Sequence, residues 1–227
     1  DALPVAGACR ALLAVVAATA RRLFATTFGS PRLPSCLRES RPRLLALLDR
    51  ARSAEPERAR ETFAWAAAFG FAGYLRQAAA AWTSSPASLL DHRGPDGTTP
   101  LCGAARCRQG DAVAALLQLR AEADRSDRAG LTPLYWAARA GDAGSVRRLL
   151  GHGALATRAG RRGESPLAAA LGAREAITPG HLEALQLMAE GLDDAQRRGA
   201  AAVRALAACC EAGATLLAAV LLDNGVG

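Results

Sequence analysis

The chain has 227 residues, of which 28 are basic and 21 acidic, for a formal net charge of +7. Every one of the 28 is arginine, so lysine-based catalysis, Schiff-base chemistry included, is excluded. Half of the residues are apolar but only 4% are aromatic. That composition argues against a large aromatic-lined cofactor pocket and for Ala and Leu packed between closely spaced helices.

Residues 1–56 read as an N-terminal helical cap or anchoring segment, and 57–227 as the main body. The apolar run after Arg10, ended by Arg21-Arg22, is too short to span a bilayer and reads as a buried helix or an interfacial anchor. Three prolines in 29–42 make a connector. Leu44, Leu47 and Leu48 then form one apolar helix face.

The most informative stretch is "AGLTPLYWAARAGD" at 129–142. Thr132 is placed to cap a helix, and Pro133 fits its first turn, where the missing N–H costs nothing. Leu134, Ala137 and Ala138 fall on one face, and Gly141 suits the left-handed turn that ends a helix. A second helix follows over Val146, Leu149 and Leu150 and stops at Gly151-His152-Gly153. A helix pair this small cannot bury its apolar face alone, so neighbours of the same kind are expected.

They are present. Thr99 stands 33 residues before Thr132 and Ser165 stands 33 after it, each followed by Pro-Leu. Phe63, Ala66-Ala67, Gly70 and Leu75 repeat the offsets from residue 61. Leu206, Gly213 and Leu221-Leu222 repeat them from 204, with Ala207-Ala208 or, read further on, Cys209-Cys210 as the small pair. Units starting near 61, 99, 132, 165 and 204 define a stacked array. The segment "RCRQG" reads as two extra residues between the helices of the second unit, and "LGAREAITPG" as about six in the fourth.

These residues resemble the ankyrin repeat, whose mark is a 33-residue unit with a TPLH-like start, an Ala-Ala pair and a Leu-Leu finish. The implied fold is all-α: a solenoid of stacked helix–turn–helix units with short β-turn fingers, preceded by a helical cap. The family's His after Pro-Leu is Cys102, Tyr135 and Ala168 here. Trp136, and Trp65 in the first unit, fall where the family keeps an inward leucine, which implies core packing. Family members bind partner proteins through turn tips and first-helix ends. Carried over, the tips are Asp96, Thr98, Arg128, Leu131, Arg161, Arg162 and Glu164, and the helix ends are Arg106, Arg108, Arg139 and Arg174. Seven of these eleven are arginine, whose planar fork suits carboxylates and carbonyls. The expected role is a non-catalytic interaction module or assembly subunit binding a partner protein, with an acidic surface or peptide, along an arginine-lined concave strip. A membrane-peripheral scaffold and a nucleic-acid-contacting protein are the alternatives.

Chemistry beyond binding has little support. The six cysteines form no CxxC pair and only three histidines are available, so no metal or cofactor site is expected. Cys209-Cys210 reads as buried, and Cys107, on a loop, as the exposed thiol. Nothing resembles a disulfide scaffold, which favours an intracellular, reducing compartment, cytoplasmic or nuclear. Ser84-Ser85 has only His92 nearby, and Asp193-Asp194 lies beside Arg197-Arg198. Neither makes a nucleophile–base set, and no phosphate-binding glycine motif occurs.

Overall fold

The computed structural model describes residues 56–82, 89–94, 97–170, 177–211 and 214–226. The chain divides into two compact units, Asp1–Ala59 and Arg60–Gly227. The cap or anchor expected over 1–56 lies almost wholly outside the described residues, as do Asp96 and Arg174. Among the described residues there are eleven helices and no strand. They are α1 (Pro56–Ala68), α2 (Ala72–Ala80), α3 (Pro100–Arg106), α4 (Gly110–Gln118), α5 (Pro133–Arg139), α6 (Ala143–Gly151), α7 (Pro166–Ala169), α8 (Pro179–Glu190), α9 (Asp194–Arg197), α10 (Ala200–Glu211) and α11 (Thr215–Asp223).

Three unit starts are built alike. The hydroxyls of Thr99, Thr132 and Ser165 accept the backbone N–H of Cys102, Tyr135 and Ala168 at 3.2, 3.2 and 3.3 Å. Pro100, Pro133 and Pro166 each open the helix that follows. Each cap satisfies one of the amides that a helix start leaves unpaired. The capping side chains are themselves buried, at 1% exposure each.

The helices pair and stack. First helices α3, α5, α7 and α10 pack in succession, and second helices α2, α4, α6, α8 and α11 do the same beside them. Close approach rests on small side chains: Ala66-Ala67, Ala104-Ala105 and Ala137-Ala138 are all fully buried, at 0–1% exposure. Leu75, Val113 and Leu116, Val146 and Leu149, Leu185 and Met188, and Leu217 and Leu221 fill the second-helix layer, all at 0%.

The register is written in the backbone. The N–H of Phe71, Gln109, Asp142 and Ala214 donates to the carbonyl of Ala66, Ala104, Ala137 and Cys209, at 2.9–3.0 Å. At the far end of each second helix, Ala121, Ala154 and Val226 donate to Leu116, Leu149 and Leu221, all at 3.0 Å. The turn bonds of Phe71, Gln109, Asp142 and Ala214 all span five residues, as do those of Ala121, Ala154 and Val226, so the helix pairs are built alike. In the last unit Cys209 is the counterpart of Ala137, while Ala207 is exposed and Ala208 only half-buried.

The backbone also corrects the second unit. No residues are inserted at "RCRQG", because α4 begins 33 residues before α6 and the turn bond keeps the same offset. Arg108 instead occupies the turn seat that Gly70 and Gly141 take elsewhere. Its φ is 56°, beside 78° and 65° for the glycines. Arg120, at 65°, likewise sits where Gly153 and Gly225 take 84° and 75°. In the fourth unit, residues 171–176 separate α7 from the segment entering α8 and lie outside the described residues.

Candidate partner-binding face

Three of the stacked units, those starting at 99, 132 and 165, are entered through a tight turn. Gly94, Asp127 and Gly160 donate their N–H to the carbonyls of Thr98, Leu131 and Glu164, at 3.0, 2.9 and 2.8 Å. Gly97, Gly130 and Gly163 close the same turns with bonds back to Gly94, Asp127 and Gly160 at 2.7–3.0 Å. These three fingers are the β-turns expected from the sequence. They are joined edge to edge: the Arg128 N–H donates to Gly97 O at 3.0 Å, and the Arg161 N–H to Ala129 O at 3.2 Å. Arg93 adds a side-chain bond to the Ser126 carbonyl at 3.1 Å.

Glycine is required where one finger crosses the next. A Cβ on Gly97 would run into the side chain of Arg128, and one on Gly130 would come within 3.0 Å of Arg161 Cγ. Both glycines also have left-handed φ, 75° and 82°. The stems of Arg128 and Arg161 therefore lie across the preceding finger. Arg128, Arg161 and Arg162 are exposed, and Thr98 and Glu164 are half-buried.

Leu131, expected at a tip, is instead buried at 8% exposure. Its N–H is held by Asp127 Oδ1 at 2.9 Å, which turns the residue inward. Asp127 is the organiser of this finger. Its Oδ1 also accepts from Ala129 N–H at 2.9 Å, and its Oδ2 accepts the indole N–H of Trp136 at 3.0 Å. A carboxylate this buried is tolerated because each oxygen is satisfied.

Trp136 is not a core residue. It is half-buried, joining the finger row to the first-helix row. An indole is too large for the close alanine contacts between first helices, so it lies against the finger and bonds Asp127. The Arg106 guanidinium sits over it, 5.4 Å from the ring centroid, and Tyr135 meets it edge-on at 5.5 Å. A cation held on an indole in this way contributes about 0.5–1 kcal/mol at a solvated site. Trp65, at the same offset in the first unit, is also half-buried and stacks on Phe69 at 5.8 Å.

Tyr135 itself is buried, and its hydroxyl accepts from Arg139 Nη1 at 3.2 Å. Two of the helix-end arginines differ from the tips in being held: Arg106 by an indole face, Arg139 by a phenol. Arg108 is exposed, and its left-handed backbone sets the direction in which it leaves the helix. The structure thus joins Thr98, Arg128 and Arg161 into one finger row, and Arg106, Trp136 and Arg139 into a neighbouring helix row. Trp136, Asp127 and Arg93 were missing from the residues inferred by sequence. The available signal was spacing: Trp136 lies three residues before Arg139, on its helix face.

The thiols are also distributed differently from expectation. Cys107 is buried at 6% exposure and Cys210 is exposed. Cys102 takes the seat of the family's histidine, its Sγ 3.5 Å from Arg125 O and 3.7 Å from Leu131 O. Burial pushes its thiol up to about 12, and that of Cys107 up to about 11. Among the described residues no group of three His, Cys, Asp or Glu side chains is placed to hold a metal ion. None of the described helices is long and apolar enough to cross a membrane.

A stack of capped helix pairs entered through linked β-turn fingers defines a class of solenoid built for surface contact. The family model described as ankyrin repeats (3 copies) matches this chain over residues 63–160 and again over 104–198. The matches span more than half of the sequence, and the chain belongs to the ankyrin repeat family. Ankyrin repeats are in general protein–protein interaction modules. No curated protein matches the chain.

Proposed function

We propose that this chain is a non-catalytic interaction module that docks a partner protein on the face made by its fingers and first helices. The partner surface would be acidic or rich in backbone carbonyls, because the side chains offered are mainly arginine forks. The observation that carries this reading is the stacking of Arg106 on half-exposed Trp136 beside the Arg139–Tyr135 bond. Two guanidinium groups are pre-positioned by aromatic rings, so less side-chain freedom is lost on binding. Trp and Arg are also the residue types that most often dominate binding energy at an interface centre. Arg128, Arg161 and Arg162 on the adjacent finger row extend the same charge.

The test is affinity capture with mass spectrometry. The native chain is compared with one carrying Arg106→Glu, Arg128→Glu and Arg139→Glu, and with an Arg147→Ala control on the second-helix side. Proteins lost from the triple variant but kept by the control support the reading. A partner retained by the triple variant and lost from Arg147→Ala would place docking on the other side of the stack.

A further inference from the structure

The finger row stops one unit before the helix stack does. Among the described residues no finger precedes the last helix pair: α9 and the start of α10 occupy that stretch of chain, and α9 packs on α10. The third finger, Gly160–Glu164, is therefore met by no fourth one. The two junctions that are made show what such an edge holds. In each, one arginine of the following finger does two things. Its backbone N–H donates to a carbonyl of the preceding finger, Arg128 to Gly97 O and Arg161 to Ala129 O. Its methylene stem lies across the left-handed glycine of that finger, Gly97 or Gly130. The third finger repeats the receiving half. Gly163 is left-handed at 80°, but a Cβ placed on it meets nothing within 4 Å. Among the described residues no backbone donor reaches the carbonyls of Arg162 and Gly163, the counterparts of Ala129 and Gly97.

We infer that this edge takes an extended acidic segment of a partner protein, which joins the row as a further finger would. A glutamate of the segment donates its backbone N–H to the Arg162 or Gly163 carbonyl and lays its side-chain stem over Gly163. The inference rests on the interaction-module reading above and names the mode of docking. Main-chain bonds at the open edge give affinity, and the place over the glycine gives selectivity. Charge decides for an acid. Arg128 and Arg161 lie over successive glycines, so the place over Gly163 is next in line, beside exposed Arg161 and Arg162. A third cation there would be repelled, whereas a carboxylate suits the guanidinium forks. The first finger of a second copy cannot make the same contact. Where Arg128 and Arg161 follow Asp127 and Gly160, Pro95 follows Gly94, and proline has no N–H to donate.

The probe is a blocked peptide of alternating glutamate and valine, which favours an extended backbone and puts the carboxylates on one side. It is titrated into the full, isotope-labelled chain while the backbone amide resonances are followed. The largest shifts are expected at Arg162, Gly163 and Glu164. Methylating the glutamate nitrogens keeps the peptide's charge but removes the donors, and should raise the dissociation constant roughly tenfold. Gly163→Asn fills the open place with a residue that tolerates a left-handed backbone, and should weaken binding by as much or more. Gly153→Asn is the matched control. Gly153 is also left-handed, at 84°, and a Cβ there also meets nothing, but it lies at the end of α6 and off the finger row. Binding should be unchanged by it. A methylated peptide that binds as well as the parent overturns the inference, as does the absence of shifts up to millimolar peptide. Shifts centred on Arg106, Trp136 and Arg139 that survive Gly163→Asn overturn it too, and leave the interaction-module reading standing. That reading fails separately, if captured proteins are indifferent to the triple arginine variant.

Discussion

The Nε2 of His181 lies 3.2 Å from the carbonyl oxygen of Arg139, across the boundary between the third and fourth units. The other ring nitrogen, Nδ1, accepts the backbone N–H of Thr178 at 3.1 Å. An amide N–H can only donate and a carbonyl can only accept, so the proton of the neutral ring is assigned to Nε2. The ring also packs over Gly141, where a Cβ would come within 2.7 Å of it. One buried side chain thus ties the start of α8 to the end of α5, the helix end that carries Arg139.

Replacing His181 by alanine leaves the Thr178 N–H and the Arg139 carbonyl, both part-buried, without this partner. A fully buried group left so costs about 1–3 kcal/mol, and a part-buried one less. The urea midpoint of His181→Ala should fall accordingly, and an unchanged midpoint would mean that the ring carries no link between units.

Arg108 and Arg120 occupy left-handed seats that glycine fills in sibling units. A non-glycine residue in that conformation costs roughly 1–2 kcal/mol, against about 0.5–1 kcal/mol for the greater chain entropy that glycine loses on folding. Arg108→Gly and Arg120→Gly should therefore each raise the melting temperature, by about 2–4 °C per kcal/mol gained. Arg108→Ala, which keeps a Cβ, should give no such gain. Equal melting temperatures for the glycine and alanine variants would show that the left-handed turn stores no strain.

Thiol chemistry should separate the cysteines. In the native protein Cys210 should be alkylated promptly, and Cys102, Cys107 and Cys209 only after denaturation, as peptide mapping will show. The same burial has a pH consequence. The thiols of Cys102 and Cys107 titrate near 9.0 when exposed, and burial raises them to about 12 and 11 in the folded chain. Above pH 9 the unfolded chain loses these protons first, so stability should decline as pH rises from about 9 toward 11–12. Cys102→Ala should flatten that decline, and a curve as steep as native would exclude Cys102 as a contributor.

For partner binding, Arg128→Ala and Arg139→Ala should weaken the complex most. Loss of a buried arginine–carboxylate contact costs about 2–5 kcal/mol, much of it from the partner charge left unpaired. Arg147→Ala should matter little. Arg147 pairs with Glu183 at 2.9 Å between α6 and α8, and both are exposed. Such a pair contributes about 0–1 kcal/mol to the fold. Binding measured by titration calorimetry, with melting curves to confirm folding, separates these outcomes. A complex indifferent to both Arg128→Ala and Arg139→Ala would move the interface elsewhere.

The sequence by itself determined the repeat and its register. A capping hydroxyl, a first-turn proline, an alanine pair and a leucine layer act within one unit, through local backbone bonds, and so recur at legible offsets. What tertiary structure decided lies at the contacts between units. Trp136 stands outside the core because the alanine-spaced first helices leave no room for an indole and Asp127 offers its N–H a partner. Leu131 turns inward because the same carboxylate holds its amide. Arg108 was read as part of an insertion because its left-handed backbone leaves no mark on residue type. Cys107 is covered and Cys210 exposed because exposure in a stack depends on what packs against each seat, which residue type does not record. A periodic pattern specifies which residues are equivalent. Only the neighbouring units specify which of those equivalents meet water.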